Sequence, residues 1–146
     1  IRISSESRDL SGNTLQNIYT DIIGFSSSSE EEHNPLLVTS LMPSDNSTNV
    51  LIDSAISITF SKSINVGTVK INSFDNQCTG SVKLSSDNFK TCVQLDQNLE
   101  ISNSNKTFII IPKENLIYGK YYKLMINHEV KDTQGYRLSN TRRYKY

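Results

Sequence analysis

The stretch Ile56-Ser-Ile-Thr-Phe60 decides the fold class, because its side chains alternate between apolar and polar at every residue. Successive side chains of a β-strand point to opposite faces, so this period places Ile56, Ile58 and Phe60 together on one face. The stretch therefore predicts a half-buried β-strand with its apolar face turned toward a core.

Segments of the same character recur along the chain about every 10–15 residues, separated by turn residues. They span residues 66–71, 80–84, 89–95, 107–111 and 121–126. The polar stretch 85–88 is typical of a hairpin loop, which would pair the segment before it with the segment after it. Pro112 closes the fourth segment, because its nitrogen cannot donate to a ladder. Strands spaced in this way, without a convincing helical period, predict an all-β antiparallel sandwich.

Composition and charge narrow the class further. Ser, Thr and Asn make up about a third of the chain, and these short polar side chains favour strands and turns over helices. Fifteen basic residues balance fifteen acidic ones, which argues against a nucleic-acid partner because such binding needs excess positive charge. No apolar run approaches the ~20 residues of a membrane-spanning helix. We therefore expect a polar, β-rich domain with no transmembrane segment in this chain.

Two parts of the chain resemble each other. Residues 1–17 and 124–140 are identical at six of 17 positions, at a constant offset. Both contain a strand-like segment followed by D-x-x-G, in which the Asp can bond backbone amides and the Gly can adopt a positive φ. The residues concerned are Asp9, Gly12, Asp132 and Gly135. The repeat indicates that residues 1–25 are the last two strands of a preceding copy.

The repeat and the local composition together divide the chain. Residues 26–35 contain four Ser, three Glu and a Pro, which favours an exposed linker because such residues cannot pack a core. Residues 36–146 then form the main domain. Its last strand is predicted to be incomplete, because residues 141–146 are few and highly charged. The chain opens on Ile1-Arg-Ile3, which is typical of a strand interior, so we expect a piece of a larger protein or a processed product.

Residues 38–140 resemble the bacterial Ig-like domain found in S-layer proteins and, in tandem, in large surface proteins. The resemblance rests on the order and spacing of several stretches: Val38 to Leu41, Pro43 to Val50, Ile56 to Phe60, Thr107 to Pro112, Leu116 to Ile126 and Val130 to Gly135. The stretch from Cys78 to Cys92 looks like a version common in spirochaete surface lipoproteins. The resemblance implies an Ig-like antiparallel β-sandwich of about seven strands in Greek-key order.

The same resemblance implies a structural or adhesive module outside the cell, with no catalytic residues, no cofactor and no metal to carry over. The expected location is extracellular or at the cell surface, with any outer-membrane anchor in another part of the protein. Expected partners are neighbouring Ig-like repeats and proteins of a host or matrix. His33 and His128 lie in no nucleophile or metal motif, so no enzyme is expected. Glu30–Glu32 and Asp45 leave Ca²⁺ binding open.

Cys78 and Cys92 flank the expected hairpin loop. In the register in which Gly80 faces Lys90, the two cysteines face each other at a spacing that a disulfide can bridge. A disulfide is favoured over two free thiols, and a zinc site would lack two of its four ligands. The bond would place the domain in an oxidising compartment, which agrees with the cell surface.

Tyr122 stands at the start of the segment expected to be the penultimate strand. In Greek-key sandwiches a Tyr at this place bonds to the backbone of the preceding corner, a role we favour over ligand binding. Five further tyrosines cluster toward the C-terminus: Tyr118, Tyr121, Tyr136, Tyr144 and Tyr146. They either pack on half-buried sheet faces or contact protein or glycan partners.

A self-assembling filament is the alternative function. Residues 18–25 form a predicted strand that lacks the rest of its repeat, and its contacts would come from Tyr19, Ile22, Ile23 and Phe25. This strand matches the vacant last-strand position, which it would fill by β-strand addition through residues 1–28. The sequence does not decide whether this strand would insert into its own molecule or into a neighbouring one. The competing interpretation is a fragment of a tandem array, in which the two strands pack elsewhere.

Overall fold

Seven short strands and one 3-10 turn make up the regular structure of residues 34–146, the part of the chain that this computed structural model describes. The strands are β1 (Val38–Met42), β2 (Ile56–Phe60), β3 (Val82–Ser85), β4 (Glu100–Ser102), β5 (Thr107–Ile110), β6 (Lys123–Ile126) and β7 (Arg142–Lys145). The 3-10 turn spans Val66–Thr68. The predictions for Asp9, Gly12, Tyr19, Ile22, Ile23 and Phe25, and for most of the linker, lie outside the described residues.

The strands form two antiparallel sheets. The first has the order β1-β2-β5-β4 and the second the order β3-β6-β7. The chain crosses between the two layers from β2 to β3, from β3 to β4 and from β5 to β6, as in a Greek key. This is the strand arrangement of a constant-type immunoglobulin sandwich. The predicted all-β, Ig-like fold is confirmed.

The core lies between the two sheets and is built by the alternating residues. The three apolar residues of β2 that the sequence places on one face are all buried. One of them, Phe60, packs edge-on against Phe108 of β5, with 5.9 Å between the ring centroids. In the other sheet, Leu84 and Leu124 are paired in the register and are fully buried. Burial of each such side chain contributes roughly 1.5–3 kcal/mol, so the alternation largely determines the stability of the domain.

Two of the predicted strands are wrong. Residues 89–95 do not form a hairpin with β3, which pairs with β6 instead. A single backbone bond joins the segment to β3, from the Val93 amide to the Leu84 carbonyl at 2.7 Å, while the Val93 carbonyl accepts from the buried Asn72 side chain at 3.0 Å, so no ladder forms. Residues 66–71 begin with the 3-10 turn, because the side chain of Asn65 accepts a hydrogen bond from the Gly67 amide at 3.1 Å.

The last strand closes its sheet, which corrects the expectation of a vacant position at residues 141–146. All four residues of β7 pair with β6. Beyond them, the amides of Tyr122 and Tyr146 donate to each other's carbonyls at 3.1 and 2.9 Å. Arg143 and Lys145 are exposed, and an edge strand tolerates such charges. The place suggested for residues 18–25 is therefore already occupied by the domain's own chain.

Gly80 lies just before β3, at a close approach of two backbone segments. Its φ is +82°, and a Cβ there would stand 2.3 Å from the Lys70 carbonyl oxygen. The Ser81 amide donates to that same oxygen at 2.6 Å, so the approach is fixed by a hydrogen bond. The segment that leads into β3 thus requires glycine for its φ and for its lack of a side chain.

Replacing Gly80 with Ala should destabilise the domain by more than the ~1–2 kcal/mol that a left-handed L-residue costs, since the backbone must also move. Gly119→Ala is the matched control, because Gly119 has a φ of +79° with nothing within 4 Å of the added Cβ. Urea unfolding followed by circular dichroism gives both free energies of unfolding. Equal losses for the two variants would contradict the close approach.

Candidate functional site

The structure contains the predicted disulfide between Cys78 and Cys92, with 5.0 Å between the two Cα atoms. The bond does not cross a two-stranded hairpin, because residues 89–95 are not a strand. It joins the loop that precedes β3 to the loop that follows it, and Cys92 is buried. The disulfide therefore fixes two irregular segments to each other.

Buried polar side chains organise the same two segments. The Asn72 amide nitrogen donates to the carbonyls of Phe74 and Val93, at 2.6 and 3.0 Å. Its oxygen accepts from the amide and the hydroxyl of Thr79, at 2.9 and 3.0 Å. Ser81 is also buried and bonds backbone groups on the other side of the loop. Sequence reasoning missed both residues, because one Asn or Ser among so many carries no signal.

The turn after β3 is held by Ser85 and Asp87. The Ser85 hydroxyl donates to the Asp87 carboxylate at 2.8 Å and accepts from the Phe89 amide at 2.9 Å. Thr91 donates its hydroxyl at 2.6 Å and its amide at 2.9 Å to the same carboxylate. These hydrogen bonds, with that of the Thr91 hydroxyl first, lower the pKa of Asp87 to about 2. The carboxylate acts as an ionised acceptor that shapes the turn.

The D-x-x-G motif forms a turn between β6 and β7. Asp132 is buried, and its Oδ1 accepts from the amides of Gln134 and Tyr136, each at 2.9 Å. Gly135 has a φ of +95°, the left-handed conformation expected of it. The other carboxylate oxygen lies 3.6 Å from the Lys62 ammonium group, which belongs to the loop after β2. The motif thus joins the loops at one end of the sandwich.

Tyr122 makes the corner contact at the opposite end, just before β6. Its side chain is buried, and its hydroxyl accepts a hydrogen bond from the Ile117 amide at 3.0 Å. The donor lies five residues upstream, in the connection from β5 to β6, which is the geometry of a tyrosine corner. The Tyr122 backbone also pairs with that of Tyr146. One residue therefore fixes the corner and the end of the chain.

A cleft of about 370 Å³ opens beside this corner. Its walls are residues 47–52 in the β1–β2 connection and 116–122 in the β5–β6 connection, with Pro43, Ser54, Ile56 and Tyr146 between them. A backbone hydrogen bond from the Leu116 amide to the Ile52 carbonyl, 2.8 Å long, ties the two walls together. The cleft is therefore formed by the fold itself.

Large apolar side chains around the cleft are exposed. The exposed fraction is 70% for Leu51, 59% for Ile117, 91% for Tyr118 and 67% for Tyr121. An exposed patch of such side chains around a cleft is typical of an interaction surface. This patch is the strongest candidate for a functional site among the described residues.

The predicted tyrosine cluster divides into two groups. Tyr118, Tyr121 and Tyr136 are exposed, whereas Tyr144 is half-buried and Tyr146 is buried. Burial raises the pKa of both the Tyr144 and the Tyr146 hydroxyl above the ordinary value. The Tyr146 hydroxyl has no hydrogen-bond partner among the described residues. Tyr144 and Tyr146 thus pack on the sheet, whereas partner contacts by the exposed tyrosines stay a prediction.

Within residues 34–146, no three His, Cys, Asp or Glu side chains come together in a way that could hold a metal ion. Asp45, for which Ca²⁺ binding was left open, accepts a hydrogen bond from the Lys145 amide at 2.8 Å. Glu30–Glu32 lie outside the described residues. The same part of the chain has no helix with the length and hydropathy that crossing a bilayer requires.

The fold is similar to that of solved S-layer proteins. The N-terminal part of the bacterial S-layer protein SbsC matches with a TM-score of 0.53 and 18% identity, over 90% of this chain and 27% of that chain. The S-layer protein rSbsC(31-844) gives 0.52 and 17%, over 89% and 15% of the two chains. Domains 1-6 of surface layer protein SbsC give 0.54 and 18%, over 87% and 16%. The chain thus spans little more than a quarter, or less, of these proteins.

The strand order, the tyrosine corner and the likeness to these structures define an Ig-like β-sandwich. Comparison with curated protein sequences gives no match. The profile of the bacterial Ig-like domain family matches residues 32–146, which is most of the sequence. The chain belongs to the bacterial Ig-like domain family.

Tyr122→Phe should lower the free energy of unfolding by about 1 kcal/mol, because the Ile117 amide loses its acceptor. Tyr121→Phe is the matched control, since the neighbouring side chain is exposed and its ring is retained. Denaturant unfolding of the two variants and the wild type measures the difference. A loss as large in Tyr121→Phe as in Tyr122→Phe would assign the effect to the loop rather than to the corner.

Reduction of the disulfide should destabilise the domain by roughly 3 kcal/mol, the value for a closed loop of this length on the chain-entropy model. Urea unfolding with and without a phosphine reductant measures the loss. The Cys78→Ser/Cys92→Ser double variant is the control, because the reductant should leave its stability unchanged. Complete alkylation of both thiols in the unreduced, denatured protein would contradict the bond.

Proposed function

We propose that the chain is a non-catalytic structural or adhesive module of a secreted or cell-surface bacterial protein. The observation that carries the proposal is the family match over residues 32–146. The S-layer structures with a similar fold support it, since their names place those proteins in a surface layer. In this proposal the domain contributes shape and contact surface, and no chemical step.

The use of the buried polar residues supports a structural role. Asn72, Ser81, Ser85 and Asp132 are all buried, and each is bonded to backbone groups of a loop or turn. Buried polar groups without such bonds are the ones that call for a catalytic or ligand-binding explanation. Here the polar residues hold the irregular parts of the chain, and the one carboxylate oxygen without a hydrogen bond, Oδ2 of Asp132, faces the Lys62 ammonium group.

The disulfide supports a location outside the cytoplasm. Disulfides persist in oxidising compartments and at cell surfaces, and are rare in reducing ones. The Cys78–Cys92 bond joins the irregular segments on either side of β3, and it forms and persists only in an oxidising environment. Neighbouring Ig-like modules and host or matrix proteins are the partners that fit such a location.

The filament alternative is not favoured. It depends on a vacant last strand, and β7 pairs with β6 along its whole length. Strand addition at the last-strand position through residues 1–28 would therefore have to displace β7 from its pairing with β6. A structural module needs no such displacement.

Surface labelling of the native bacterium tests the proposal. Intact cells are treated with a membrane-impermeant biotin reagent, and peptides from residues 34–146 are quantified by mass spectrometry. We expect labelled lysines in intact cells and a Cys78–Cys92 peptide in a non-reducing digest. A cytoplasmic protein serves as the control for lysis. Labelling only after lysis, with both cysteines reduced, would contradict the proposed location.

A further inference from the structure

We infer that the cleft between the β1–β2 and β5–β6 connections binds an acidic protein segment that inserts an apolar side chain. The cleft and its rim are called the corner cleft below, and consist of residues 47–52 and 116–122 with Tyr146. The inference deepens the proposed function, on which it rests, because it assigns a contact surface and a class of partner to the surface module.

The apolar side chains of the corner cleft call for an apolar anchor. Leu51, Ile117 and Tyr118 remain largely exposed although each could contribute to a core. The volume of about 370 Å³ lies at the small end of the range of ligand pockets, so it suits one or two side chains rather than a flat domain face. The exposed aliphatic side chains of Leu51 and Ile117 favour an apolar peptide side chain over a sugar, because a sugar would stack on the tyrosine rings and leave these aliphatic side chains uncovered. Tyrosine is also a common hot-spot residue of protein interfaces.

The charges at the corner cleft favour an acidic partner. Lys120 is the charged residue among the described lining residues, and no Asp or Glu lines the cleft. A second cation stands at the rim, with the Lys145 ammonium group 4.5 Å from the centre of the Tyr121 ring. At the Tyr146 end the carboxylate of Asp45, bonded to the Lys145 backbone amide, offsets that second cation, so the uncompensated positive charge is that of Lys120. A carboxylate next to the apolar anchor would therefore meet positive charge.

The corner cleft is held open by the fold and retains an unsatisfied donor. The Leu116–Ile52 backbone bond and the Tyr122–Ile117 bond fix its two walls, which lowers the entropy lost on binding. Tyr146 lines the cleft, and its hydroxyl is buried without a hydrogen-bond partner among the described residues.

Titration of the ¹⁵N-labelled full chain with short peptides tests the inference by NMR. The probe is acetyl-Gly-Phe-Glu-Glu-Gly-amide, and the matched peptides replace both Glu by Gln, or Phe by Gly. We expect saturable shifts confined to the amides of residues 47–54 and 116–121, with a millimolar Kd. The Gln peptide should bind about fivefold more weakly, the effect of an exposed ion pair. The peptide without Phe should not saturate.

Two variants and two matched controls complete the test. Tyr118→Ser should weaken the binding of the acidic peptide at least about tenfold, and Lys120→Gln should reduce the difference between the Glu and Gln peptides. Phe74→Ser removes another exposed aromatic ring, and Lys90→Gln removes another exposed lysine. Neither residue lines the cleft, so both variants should bind the peptide like the wild type. Thermal unfolding of all four variants checks that they remain folded.

Three results would overturn the inference. The first is no saturable shift with the acidic peptide. The second is a shift of the same amides with a neutral disaccharide such as chitobiose but not with the peptide, which would assign the cleft to glycans. The third is a dependence of these amide shifts on the concentration of the chain itself, which would assign the cleft to a second copy. None of them affects the surface labelling, so failure of the inference and failure of the proposed function are separable.

Discussion

The side chain and backbone of Tyr122 form the constraint on which the rest of the domain depends. The hydroxyl holds the β5–β6 connection through the Ile117 amide, and the backbone pairs with Tyr146 beyond β7. A single residue thus determines where β6 begins, where β7 ends and how one end of the sandwich is closed. The walls of the corner cleft follow from the same constraint, because Ile117 and Tyr146 both belong to its lining.

Elsewhere, side-chain hydrogen bonds and a disulfide hold the chain where strands do not pair. The region between Asn72 and Leu95 contains one strand, β3, and its loops are held by a disulfide and by buried amide and hydroxyl groups. Such contacts are specific but costly to break singly, because an unpaired buried polar group loses its solvation without compensation. This explains how a chain with a modest apolar content and short strands maintains a defined structure.

The sequence predicted the parts of the fold that depend on periodicity. β2 alternates in sequence, β5 and β6 are apolar runs whose burial alternates, and each strand lies within one residue or two of its predicted bounds. β4 was missed because Glu100–Ser102 is exposed on both faces and pairs along one side only, so no apolar face marks it. Residues 89–95 were assigned to a strand because they contain alternating apolar residues, which in the structure pack against the core without a ladder.

The residues with a structural role were predictable to different degrees. Cys78, Cys92 and Tyr122 were identified because their residue types have few alternative roles at these positions. Asn72, Ser85 and Asp87 were not, since their roles arise from contacts between distant segments. The corner cleft could not be predicted for the same reason, because its walls are more than 60 residues apart in sequence. Only the cluster of tyrosines indicated a contact surface.

The positions of the two ends of the domain have a mechanical consequence. The chain enters beside Leu138, before β7, and leaves at Tyr146, after β7, so tension between the two ends acts along the strands. The disulfide spans a sequence separation of 14, which at about 3.5 Å per extended residue keeps roughly 45 Å of chain out of the stretched length. Under load, the same bond that fixes the irregular loops limits how far an unfolded module can extend.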